Sequence, residues 1–208
     1  MKLDNIKMNT IKMKSKLIMF LMAGMLVASS ANALAQAVKA STFKTTITIN
    51  GTSNIHDWHS KVEQLSGEFV VGENNKIESL VVKVPVQSIK SGDRLMDKKT
   101  YETMLADKHP SITFQLTEPT TAIVSSSDIQ INLTGNLTIA GVTKKITFKS
   151  TGKKTANGGY QLTGTVPMKM TDFKMKIPTA LLGTVKAGDA VTVKLDVTVL
   201  SHNLVASN

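Results

Sequence analysis

The sequence predicts an all-β protein, an antiparallel barrel of about eight strands with one short helix between the third and fourth strands. Three observations carry that expectation. From Ile129 to Ile139 the alternation is unbroken, with Ile129, Ile131, Leu133, Gly135, Leu137 and Ile139 on one face and Gln130, Asn132, Thr134, Asn136 and Thr138 on the other. A period of two marks a half-buried strand. After Ala140-Gly141 the alternation resumes with Val142, Lys144, Ile146 and Phe148 on one side, so the two runs read as a hairpin. One stretch only, from Asp93 to Ala106, carries convincing helical spacing. At about 3.3 Å per residue the first run spans roughly 36 Å, far beyond a usual strand of about 5 to 6 residues. Long meandering strands suit a barrel better than the alternative, a two-sheet sandwich.

At the start of the chain, Lys2, Lys7, Lys12, Lys14 and Lys16 make a basic segment and Leu17 to Ala28 an apolar one. Ala31-Asn32-Ala33 or Ala33-Leu34-Ala35 then supplies a small-x-small cleavage site. Residues 1–35 therefore read as a cleaved secretory signal peptide, and residues 36–208 as one domain exported to the periplasm. The twelve apolar residues fall short of the ~20 that a spanning helix needs.

The first strand runs from Phe43 to Asn50, with Phe43, Thr45, Ile47 and Ile49 on one face, and Gly51 breaks it. In the second, Trp58 to Val71, the apolar phase shifts between Val62 and Leu65, which predicts a bulge near Glu63-Gln64. The third, Ile77 to Val86, turns Leu80, Val82, Val84 and Val86 inward, and Pro85 fits only near the end of a ladder. Ser91 or Asp93 caps the helix, Tyr101 and Leu105 stack at i, i+4, and Met96, Thr100 and Met104 form a parallel stripe. Tyr101, Met104 and Leu105 are its inward candidates. His109-Pro110 stops the helix before the fourth strand, Ile112 to Leu116. The hairpin gives the fifth and sixth strands, Tyr160 to Met170 the seventh and Val191 to Val199 the eighth.

Charge and chemistry exclude several function classes. The chain carries 25 basic and 15 acidic residues, a net charge of +10; without residues 1–35, which hold five lysines and Asp4, 20 basic and 14 acidic residues remain, a net +6. Lysines are scattered over polar strand faces (Lys61, Lys83, Lys144, Lys149, Lys194), with no basic helix and no aromatic-basic interleaving, so no nucleic-acid partner is expected. Weak attraction to an anionic membrane surface remains. There is no cysteine, so stability rests on packing and sheet hydrogen bonds. No G-x-S-x-G elbow or phosphate-cradling glycine loop occurs. Ser53, His56 and Asp57 make a triad only on paper, because such close neighbours rarely reach the required geometry. His56 and His59 point to opposite faces of an extended strand, and His109 and His202 have no sequence relation to them. A non-enzymatic protein without metal or cofactor is the expectation.

The segments G-N-L-T-I-A-G-V-T-K-K-I-T-F from Gly135, G-T-S-N-I-H-D-W from Gly51, H-P-S-I-T-F from His109 and G-D-A-V-T-V from Gly188 occur in order along the chain. With them the sequence, from about Ser41 to Ser201, resembles the YceI-like family of periplasmic lipid-binding proteins. The resemblance implies a lipocalin-like barrel holding a long-chain amphiphile: a polyisoprenoid, an isoprenoid quinone or a fatty-acid derivative. Peripheral membrane contact is expected from the positive charge, and the sequence leaves a monomer or a homodimer open. The alternative is a stress-related or interaction protein with a solid barrel that acts through its surface.

Two features bear on whether the barrel is hollow. Gly51, Gly67, Gly135 and Gly164 lie on the apolar faces of different strands, as barrel corners or as missing side chains that leave a lumen. Met168, Met170, Phe173, Met175, Ile177, Leu181 and Leu182, with Met96, Met104 and Leu105 on the helix, are either core filler or adaptable partners of a mobile apolar chain; the resemblance favours the second. The lipid wall is then expected from Trp58, Phe69, Val82, Val84, Tyr101, Met104, Leu105, Phe114, Leu133, Gly135, Leu137, Phe148, Leu162, Gly164, Met168 and Phe173. His56 or Asp57 would meet the polar headgroup. Trp58 is the lone tryptophan, and its indole N–H requires a polar partner.

Overall fold

A computed structural model describes residues 38–39, 44–156 and 159–199; the signal-peptide and cleavage readings, Phe43 and His202 lie outside the described residues. The strands are β1 (Val38–Lys39), β2 (Lys44–Ser53), β3 (Trp58–Val62), β4 (Ser66–Val71), β5 (Lys76–Pro85), β6 (Ile89–Lys90) and β7 (Ser111–Leu116). After them come β8 (Thr120–Thr121), β9 (Ile123–Ser125), β10 (Asp128–Ile139), β11 (Val142–Lys154), β12 (Tyr160–Lys169), β13 (Thr179–Ala180) and β14 (Val185–Val199). A single α-helix, α1 (Arg94–Thr103), lies between β6 and β7. Three-residue 3-10 turns occupy 73–75, 86–88 and 181–183, and a four-residue one spans Met170–Phe173.

All barrel pairings are antiparallel, and each main strand pairs with its neighbour along the chain. The order β5-β7-β10-β11-β12-β14-β2-β3 is one curled sheet. Its closure runs through two broken strands. β3 and β4 are halves of one strand, and β5 continues through the turn at Val86–Ser88 into β6. β4 pairs with β5 (Ser66↔Lys83) and β3 pairs with β6 (Val62↔Ile89), so four steps on one strand face six on the other. Counting each broken pair once gives eight strands, as the sequence predicts. The expected bulge near Glu63-Gln64 is instead a full break.

The break is closed by side chains because the ladder cannot continue. Glu63 N donates to Ser88 O at 2.9 Å. The Ser88 hydroxyl lies 2.9 Å from Gln64 O and 2.7 Å from Pro85 O, and Ser88 is buried. Val86 and Ile89, on either side of Ser88, are each only 1% exposed. Pro85 ends the β5 ladder, where its missing N–H costs nothing.

The hairpin is the most regular element. β10 alternates buried and outward residues over its full length, and its ladder with β11 runs unshifted from Asp128↔Lys153 to Ile139↔Val142. Ala140 (φ 49) and Gly141 (φ 78) both take positive φ, as a two-residue turn matching the strand twist requires. α1 begins at Asp93, whose carboxylate accepts from Leu95 N and Met96 N at 2.8 and 2.9 Å. Such a cap contributes about 1 kcal/mol. The expected helix to Ala106 ends instead at Thr103, since Leu105 turns to φ 54.

Candidate functional site

The inward faces of all eight strands enclose a cavity of about 700 Å³. Its wall is almost wholly aliphatic and aromatic, including Ile47, Val62, Val82, Phe114, Ile131, Phe148, Leu162 and Val193 from successive strands. Apolar packing is divided between two clusters. One, with Leu137, Ile139, Met170, Phe173, Met175 and Val191, gathers Trp58 and Met104 around it; the other, with Ala122, Ile129, Ile131 and Leu133, gathers Phe148 and Leu162. Phe114 touches both, and its ring meets Phe148 edge-on at 5.7 Å and 65°. That geometry is favourable for aromatic pairs.

Of the residues expected in the wall, Trp58, Phe69, Val82, Val84, Met104, Phe114, Leu133, Leu137, Phe148, Leu162 and Met168 line the cavity. Trp58 also satisfies its indole, with Nε1 donating to Thr52 O at 2.9 Å. Five expected wall residues stand elsewhere.

Tyr101 points to the broken strands. Its hydroxyl is 3.0 Å from both Gln87 O and Ile89 O, so one proton is shared between two carbonyls, and its oxygen accepts from Lys90 Nζ at 2.7 Å. This bond, with the carboxylate of Asp97 nearby, raises the Lys90 pKa. Leu105 is 49% exposed. The stripe that faces the cavity is Met96, Thr100 and Met104, with Lys99 and Thr103. The more apolar stripe is thus turned away from the lumen, because a tyrosine hydroxyl needs the free carbonyls that the seam supplies. Phe173 is 2% exposed and packed solidly among Met170, Met175 and Leu137.

Gly135 leaves no empty space. A Cβ there would collide with Gln115 O and with the Phe114 ring, which lies across the glycine from the neighbouring strand. Trp58 covers Gly51, its direct cross-strand partner, in the same manner. Both glycines serve the close approach of an aromatic ring rather than a lumen. Gly164 is covered by Leu195 and Phe148, at 3.5 and 3.8 Å from a built Cβ, and these two side chains form the wall in its place.

At the mouth, α1 contributes Leu95, Met96 and Lys99, and the segment after β2 contributes Ile55 and His56. Asp57 is exposed and gives the His56 ring only its backbone carbonyl, 2.7 Å from Nδ1. The Ser53 hydroxyl is taken by the backbone of residues 55 and 56, so Ser53, His56 and Asp57 form no relay. Among the described residues no group of three or more His, Asp or Glu is placed to hold a metal. Leu181 and Leu182, read as part of an apolar tail that packs inward, are 71% and fully exposed. Sequence reasoning missed Leu95, Thr103 and the short strand β13 before Leu181, all at the mouth. The Met96, Thr100 and Met104 stripe was visible in the sequence, but its threonine and the neighbouring Lys99 and Thr103 made it look less inward than Tyr101 and Leu105.

Fold and site together define a class: a lipocalin-like antiparallel barrel with an apolar interior and a helix at its mouth. The chain belongs to the YceI-like domain family, which residues 31–199 match. A UPF0312 protein of Pseudomonas paraeruginosa is 28% identical over 131 residues, covering 59% of this chain and 66% of that protein. Among solved structures, Burkholderia cenocepacia BcnA superposes with a TM-score of 0.58 at 17% identity, over 74% of this chain and 96% of that one. A polyisoprenoid binding domain from Saccharophagus degradans, implicated in plant cell wall breakdown, also gives 0.58, at 11% identity over 76% and 94%. The Campylobacter jejuni YceI protein gives 0.52 at 19% identity, over 68% and 83%. At such identities the superpositions establish the fold.

Proposed function

We propose that this protein is a non-enzymatic periplasmic carrier or store for one long-chain amphiphile, a polyisoprenoid, isoprenoid quinone or fatty-acid derivative, held with its chain in the barrel and its polar end at the mouth. The observation that carries the reading is the cavity of about 700 Å³ walled by apolar side chains from every barrel strand. That volume lies within the roughly 300–1,000 Å³ of small-ligand sites. A water-filled interior would leave this wall wet at a cost of about 25 cal/mol per Å², which an apolar chain removes. A solid barrel acting through its surface has no use for such a space. The polyisoprenoid binding domain among the structural neighbours supports the ligand class, and the leading segment of residues 1–35 supports export. Among the polar groups at the rim, Lys99 and His56 are the headgroup partners this reading selects.

Native mass spectrometry of freshly purified protein, followed by organic extraction, tests the proposal. One long-chain lipid bound per barrel is expected. A protein that is lipid-free as isolated and takes up neither a polyprenol nor a fatty acid would refute it.

A further inference from the structure

Beside the mouth the chain turns apolar side chains outward. Leu181 (φ 48) and Leu182 (φ 56) both hold the left-handed conformation, followed by Gly183 at φ 92. Outside Gly, Asn and Asp that conformation is uncommon, and a bulky residue persists in it only where its surroundings over-determine it. The surroundings here are specific. Ala180 pairs with Val185 across the β13–β14 hairpin, and Thr184 N donates to Leu181 O at 3.2 Å. Asn54 grips the hairpin from the side, Nδ2 donating to Thr184 O at 2.9 Å while Oδ1 accepts from Lys186 N at 2.8 Å. The two leucines are therefore held out on a braced projection.

Its position follows from shared residues. Leu95, Lys99, Thr179 and Ala180 line both the cavity and the shallow hollow that Leu181–Gly183 complete. The projection thus stands across this hollow from α1, at the edge of the cavity, and Leu95 on the facing side is itself 57% exposed. The charge around it is cationic. Arg94 adjoins Leu95, Lys186 faces Thr179 across the hairpin, and neither takes part in an ion pair among the described residues. The nearby carboxylate of Asp93 is occupied in capping α1, and that of Glu102 lies against Lys98 and Lys99.

We propose that Leu181 and Leu182, with Leu95 across the hollow, form a membrane-docking rim that enters the acyl layer of an anionic bilayer and sets the cavity mouth against it. The purpose of the rim rests on the carrier reading, since a lipid crossing it would enter the cavity without exposing its chain to water. A bilayer fits better than a protein. Three leucines fall far short of the roughly 20–30 residues a side of a specific protein interface, whereas a bilayer accepts protruding side chains without a shaped pocket and attracts the neighbouring cations.

The test is flotation of the full mature protein with vesicles of phosphatidylethanolamine and phosphatidylglycerol, and with vesicles of phosphatidylcholine alone. The wild type is expected to float with the anionic vesicles and far less with the neutral ones. The double variant Leu181→Asn/Leu182→Asn should lose about tenfold or more of that binding. Its melting temperature should hold or rise, because Asn accepts the left-handed conformation that leucine resists. A wild type that ignores both vesicles, or a variant that floats equally well, overturns the proposal. So does a dimer in light scattering that the variant abolishes, which would assign the projection to a second copy. Lipid extraction is read separately: a protein that floats but carries no lipid keeps the docking rim and removes the carrier reading.

Discussion

Between β10 and β11 twelve residue pairs run in register without interruption, and ten more join β12 to β14, whereas β3 and β6 share two pairs before their ladder breaks. The first region is held by backbone hydrogen bonds with alternating side chains; the second is held by Ser88, Tyr101, Val86 and Ile89. A regular ladder fixes every side chain on its face, so the uninterrupted side is rigid and closely fitted. The seam delegates its cohesion to a few side chains, and the same chain segment leads directly into the helix at the mouth. Access and local opening belong on that side.

The largest expected effect is on the regular side. Gly135→Leu drives a side chain into Phe114 and the Gln115 carbonyl and should cost about 1 to 3 kcal/mol or more, read as a lower midpoint in urea unfolding. Gly164→Ala, whose Cβ finds only ordinary contacts at 3.5 to 3.8 Å, should stay within about 0.5 kcal/mol of wild type. Equal losses from the two changes would erase the distinction between a glycine whose Cβ would collide and one whose Cβ has room. Met104→Lys acts instead on the helix at the mouth, where it places an ammonium against the apolar wall. Lipid recovered by extraction should drop about tenfold while the β-sheet circular dichroism persists, and undiminished loading would show that the ligand does not pass Met104.

On the seam, Ser88→Ala and Tyr101→Phe each remove a hydroxyl that bonds two backbone carbonyls and should cost about 1 kcal/mol. Their signature is local: amide exchange of Val62 and Glu63 should quicken while that of β10 is unchanged. Uniform quickening would mean that the barrel opens as one unit. The smallest effect concerns Asp189, where the Thr171 hydroxyl (2.7 Å) and backbone N–H (2.9 Å) hold the carboxyl pKa below the ordinary carboxylate range. Its contribution is fully present above that range and is lost as pH falls through the depressed value. The stability gap between wild type and Asp189→Asn should thus be widest near neutrality and close in strong acid. A gap that grows on acidification would contradict it.

The regular side was legible in the sequence because alternation from Ile129 to Ile139 has only one reading, and the turn at Ala140-Gly141 only one place to fall. The seam showed itself as a phase shift after Val62, but not as a break, since nothing local reveals that Ser88 supplies the missing bonds from 24 residues away. On the helix, apolarity chose Tyr101 and Leu105 over Met96 and Thr100; the decision lay with the free carbonyls of Gln87 and Ile89, which belong to another element. Gly135 misled for the same reason. Its missing side chain is replaced by a ring from β7, and that packing across strands leaves no trace in the spacing of β10.

All the barrel pairings but one join strands consecutive along the chain; the exception is β14 with β2, which brings Val193 to Ile49. The consecutive hairpins are local and can form early, while this last pairing must overcome the loop-closure entropy of nearly the whole domain. A chain that stops before β14 has a sheet with two unpaired edges, β12 and β2, and encloses nothing. The lumen is complete only once the final strand seals both edges, so a chain that lacks β14 can hold no guest.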